Sequence, residues 1–142
     1  MKGTKTEFKT LVKETRDNME LLTKVFYNLD KQDYDSIKTA CDIISLIADN
    51  QRTGYTNRYK NFVSTLSDSS FMKSEKLLTF KEFKEIYLYN LADYINKSHI
   101  TEKEYYSYHK HEIRELYEFY QTYFMYNFCE KWKRENNRNQ KR

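Results

Sequence analysis

Residues 101–134 read TEKEYYSYHKHEIRELYEFYQTYFMYNFCEKWKR, and the spacing of their apolar side chains decides the fold. Counted at about 100° per residue, Tyr106, Ile113, Leu116, Tyr117, Tyr120, Phe124 and Phe128 fall in one arc about 120° wide. That is the stripe of an amphipathic helix facing a core. Thr101 and Glu104 have capping-box spacing and open the helix, and the pattern runs to about Arg134. Tyr108, Phe119, Tyr123 and Tyr126 form a second arc, centred about 110° away by the same count. Two aromatic faces on one helix allow two accounts. A central helix with both faces in one core is slightly favoured; the other is a docking surface for a protein partner or a second copy. Tyr108, Phe119, Tyr123 and Tyr126 are therefore the candidate partner-binding residues, since tyrosine combines an apolar ring with a water-tolerant hydroxyl.

The rest of the chain repeats the helical period. Thr4 and Glu7 have capping-box spacing, and Phe8, Leu11, Val12, Met19, Leu22, Val25, Phe26 and Leu29 form the stripe that follows. Asp33 or Asp35 starts a second helix whose stripe, Ile37, Ala40, Cys41, Ile44, Ile47 and Ala48, is the most aliphatic of the set. Gly54 suits a left-handed position at its end. A short third helix carries Tyr59, Phe62, Val63 and Leu66, and residues 67–78 read as loop. Thr79 with Glu82 opens a fourth helix with Phe80, Phe83, Tyr87, Leu91, Tyr94 and Ile95 inward and Tyr89 outward. The expectation is a single-domain, all-α antiparallel bundle of about five helices over residues 1–134, roughly three-quarters helical. Residues 135–142 contain no apolar side chain and read as a disordered basic tail.

Composition supports this and narrows the function. The chain has no proline and only two glycines, Gly3 and Gly54, so turn-rich β folds and glycine-built phosphate loops are excluded. It contains neither a nucleophile elbow nor the Arg-x4-His pair of many helical RNases, the residues five before His99, His109 and His111 being Tyr94, Glu104 and Tyr106. His109 and His111 point about 200° apart on a helix and cannot share one ion there. His111 with Glu115 could, but no third ligand accompanies them, so no metal or other cofactor is expected. No apolar run of about 18 residues is present, so no membrane span is expected. Without a signal-peptide core, a cytoplasmic setting follows. Cys41 and Cys129 then read as two small buried hydrophobes, not as a bridge.

The net charge of +4 is concentrated at one end. Residues 131–142 carry six Lys or Arg against Glu135, so this end is +5 and the remainder is −1. Lys133, Arg134, Arg138, Lys141 and Arg142 are the candidate nucleic-acid contacts should the partner be nucleic acid. The functional expectation is a non-enzymatic protein-binding module. The abundance of Lys, Asn, Tyr, Ile and Phe, with their AT-rich codons, extends this to an inhibitor or accessory factor of a phage or mobile element acting on a host or defence complex. The alternative is a nucleic-acid-binding helical subunit of a larger ribonucleoprotein, using the basic tail and surface tyrosines.

Overall fold

A computed structural model describes residues 5–54, 56–66 and 69–140, with side chains except at 5–9, 11, 12, 56 and 137–140. The molecule is all-α, 84% helical, with no strand among the described residues. The helices are α1 (Lys5–Tyr27), α2 (Tyr34–Gly54), α3 (Thr56–Val63), α4 (Phe80–Asn90), α5 (Ala92–Lys97) and α6 (Glu102–Gln140). The Thr4–Glu7 cap and the side chains of Phe8, Leu11 and Val12 lie outside the described residues.

Local chemistry sets three of the helix starts. The Asp33 carboxylate accepts the Ser36 N–H at 2.7 Å and caps α2. At α4 the Thr79 hydroxyl accepts the Glu82 N–H at 3.1 Å while Glu82 accepts the Thr79 N–H at 2.9 Å. Thr101 and Glu104 repeat that reciprocal pair at the head of α6, both bonds at 3.1 Å. Gly54, in contrast, has an ordinary negative φ, because α2 gives way to α3 with one intervening residue. The left-handed position belongs to His99, at φ 58°, in the turn that reverses the chain into α6.

Helix four of the sequence reading is two helices. Leu91 leaves helical geometry at φ −100° and ψ 7°, ending α4 and starting α5. The break turns Tyr94, expected inward, out into water, while Phe83, Leu88 and Ile95 remain buried.

α6 is the central element. Helices α2, α3, α4 and α5 all pack on it, and Ile113, Tyr117, Phe119, Tyr120, Met125 and Cys129 are buried on its several sides. A 39-residue helix covered this way need not be amphipathic along one line. Its last turns extend helical backbone to Gln140, past the boundary at 134 expected from the sequence.

Residues 69–79 are firmly anchored despite their loop-like sequence. Phe71, in a single 3-10 turn, stacks on Phe83 with centroids 4.5 Å apart. The Leu78 peptide is held at both ends: Tyr117 donates its hydroxyl to the Leu78 carbonyl at 2.9 Å, and the Leu78 N–H donates to the Tyr120 hydroxyl at 2.8 Å. Burial pushes the Tyr120 hydroxyl up to about 12, partly offset by that N–H. The Tyr117 hydroxyl is pushed upward still further, chiefly by burial.

Cys41 and Cys129 are joined in a disulfide between α2 and α6, correcting the expectation of two separate thiols. Both are buried, and the packing of α2 on α6 brings their Cα atoms to 5.4 Å, within bridging range. At a sequence separation of 88, no local spacing announces the pair.

Candidate interaction surfaces

The four residues expected to form an aromatic docking face do not share one surface. Phe119 is 1% exposed and meets Tyr59 edge-on, centroids 5.4 Å apart. The cause is α3, which lies along this side of α6 and seals it. Arg58 of α3 adds an ion pair to Glu115 of α6 at 3.0 Å. Tyr123 and Tyr126 are half-buried beside Tyr59, whose hydroxyl is raised above its ordinary value mainly by burial. Only Tyr108 is open to solvent, at 73%. Phe119 therefore belongs to the core, in line with the favoured account of a central helix, and the candidate partner-binding set of four is corrected.

Tyr108 neighbours a second aromatic group at the α4–α6 end. Tyr94 meets Tyr105 at 6.3 Å, and Tyr105 stacks on His109 at 4.2 Å. Tyr87 shares a hydrogen bond with Tyr105, and its hydroxyl is pushed up to about 12, first by burial and then by Tyr105 and Glu112. These rings largely satisfy one another.

The basic residues of the alternative reading are only partly described. Lys133 reaches Asp42 of α2 at 3.7 Å, and Arg134 is exposed. The side chain of Arg138, with Lys141 and Arg142, lies outside the described residues. Lys133 thus has an intramolecular partner, and its charge is not simply spare.

A cleft of about 660 Å³ opens between α1, the start of α4 and α6. Its charges balance: Arg16, Lys24 and Arg114 face Asp17, Glu20 and Glu118, with His111 at the edge. Arg114 lies over the Phe80 ring at 4.6 Å, and Arg16 approaches Glu118 at 3.8 Å. Burial raises the Glu118 carboxyl above its ordinary value, with Arg16 and Arg114 opposing. Gln121 closes the floor by donating to the Thr23 hydroxyl at 2.9 Å. No group of three metal-ligating side chains is present among the described residues.

The second groove, about 380 Å³, runs between α1 and α2 and is of another kind. Leu21, Leu22 and Val25 form one wall; Thr39, Ala40 and Ile43 form the other; Asp33 and Asp35 stand at one end. Leu21 is 56% exposed, and Leu46, one turn beyond Ile43 on α2, is 65% exposed. Of the six large hydrophobic residues most open to water among those described, four are tyrosines. The two without a hydroxyl are Leu21 and Leu46, both on this hairpin. Sequence reasoning missed them, although a signal existed: Leu21, Ile43 and Leu46 all fall outside the core stripes of their helices.

No family model, curated protein or solved structure matches this chain.

No helix among the described residues is long and apolar enough to cross a membrane.

Proposed function

We propose that this protein is a non-enzymatic binding module and that its partner is a protein docked on the α1–α2 hairpin. The observation that carries the proposal is the pair Leu21 and Leu46, aliphatic side chains left more than half in water beside an apolar groove. Exposed aliphatic surface costs free energy in proportion to its area, and a partner that covers it recovers that cost. Tyr94 and Tyr108 are weaker candidates, because a tyrosine hydroxyl is at home in water.

The specific case we propose is an inhibitor or accessory factor of a phage or mobile element acting on a host or defence complex, in keeping with AT-rich residue usage. A cytoplasmic site of action belongs to this proposal, and the Cys41–Cys129 bridge stands against it, since such bridges persist mainly in oxidising compartments. Alkylation of protein taken directly from its producing cells, followed by intact mass, decides the point: a doubly alkylated chain after trapping favours the cytoplasm, an unmodified one favours an oxidising site.

The test of the function itself is affinity purification of the tagged protein from the same cells, with and without nuclease and at raised salt. A protein partner that survives both treatments is the expected result. Nucleic acid as the retained species, released by salt, would replace this proposal with the ribonucleoprotein reading.

A further inference from the structure

We propose that the α1–α2 groove receives an amphipathic helix of the partner protein, with an aliphatic face bordered by lysine or arginine. This rests on the docking reading above and adds the shape and charge of what docks.

Shape selects a helix. On α2, Thr39, Ile43, Leu46 and Asn50 follow one another at steps of four, three and four residues, a ridge along one side of the helix. On α1, Asn18, Leu21 and Val25 form the facing ridge. α1 and α2 pack on one another, and a third helix laid over the groove between Leu21–Val25 and Thr39–Ile43 packs ridge into groove.

Charge selects the border. Asp35, Asp42 and Asp49 recur every seven residues, so they form a line along α2, about 100° round from Ile43 and next to Leu46. On α1, Glu14 lies about 20° from Leu21 and continues its ridge, and the outer edge mixes Asp17 and Glu20 with Lys24, so the acidic border is that of α2; the described groove lining contains no lysine or arginine. Asp42 meets Lys133 at 3.7 Å and Asp49 meets Arg52 at 3.0 Å, both pairs exposed enough to exchange readily for a partner's cations. A second copy of this chain would set the same carboxylate line against itself in a two-fold interface. A helix with a basic border meets no such repulsion.

The probe is a synthetic helix with leucines along one face and lysines beside them, paired with a counterpart in which every lysine is glutamate. Fluorescence anisotropy with the full-length protein should show the lysine helix binding at least tenfold more tightly than the glutamate helix. Leu21→Asn with Leu46→Asn should weaken binding at least tenfold at an unchanged melting temperature. Asp42→Lys with Asp49→Lys should reverse the preference between the two helices. Equal binding of both helices, no binding of either, or binding indifferent to the two leucines overturns the inference. So does a dimer in sedimentation that Leu46→Asn dissociates, which would give the groove to a second copy. Failure of the inference is separable from failure of the docking reading: a cellular partner lost on Leu21→Asn with Leu46→Asn, alongside probes that bind equally, removes only the basic border.

Discussion

α6 and the α1–α2 hairpin carry opposite kinds of surplus, and the fold treats them in opposite ways. α6 has rings on two faces, more than one core stripe requires, yet Phe119 is 1% exposed because the eight residues of α3 cover the second face there. The hairpin is far poorer in rings, yet it leaves Leu21 and Leu46 over half exposed. Apolar surplus on one helix is therefore a poor guide to exposure. What decides is whether the tertiary arrangement supplies a neighbour, and α6, at the centre, receives α2, α3, α4 and α5 around much of its surface. The hairpin packs on α6 and α3 and leaves the flank with Leu21 and Leu46 open.

The largest effect is expected from a carboxylate at Phe119. With α3 sealing the site, Phe119→Glu buries a charge without a partner and should cost about 4 kcal/mol or more, enough to unfold many domains of this size. Chemical denaturation reads it directly, and a loss below about 1 kcal/mol would return the second arc of α6 to the surface. The next largest effect concerns the tie between the two regions. Reducing the Cys41–Cys129 bridge, or replacing both cysteines with alanine, should lower stability by about 2–5 kcal/mol, because the bridge closes a long loop in the unfolded chain. Melting with and without reductant measures it, and identical curves would mean that packing alone joins α2 to α6.

Smaller effects sharpen the picture of α6 as a hub. Tyr120→Phe removes the acceptor of the Leu78 N–H and leaves a buried donor unmatched, at about 1–3 kcal/mol. Amide exchange at Leu78 should accelerate in step; an unchanged rate would show that the loop is held by Phe71 and Leu77 instead. Glu118, between α1 and α6, gives a pH signature. Burial raises its carboxyl in the folded state above the unfolded value, so the folded chain holds that proton more tightly. Its contribution is fully present below the ordinary carboxylate pKa and is lost as pH rises through the raised value. Glu118→Gln should flatten stability in that mildly acidic window, and a steepened profile would contradict burial as the dominant cause.

Much of the architecture was legible in the sequence. The Thr79–Glu82 and Thr101–Glu104 pairs mark two helix starts because capping is local chemistry, written within four residues. The break at Leu91 was not legible, since neither glycine nor proline marks it and the change in φ and ψ serves tertiary packing. The Cys41–Cys129 pairing was hidden by its sequence separation, and the cover over Phe119 by the brevity of α3. The candidate site was legible only in reverse. Leu21, Ile43 and Leu46 could be recognised as off-stripe aliphatic residues, but whether another helix covered them depended on the placement of α6, which periodicity does not encode.

One paired measurement separates a sealed face from an open one. Leu21→Asn with Leu46→Asn is prepared beside the unmodified chain, and both melting and capture of the cellular partner are recorded. Substitutions at exposed positions should move stability by no more than about 0.5 kcal/mol each. Capture should be lost. A double variant that retains its partner at full strength, or one that unfolds, would contradict the assignment of the α1–α2 hairpin as the docking surface.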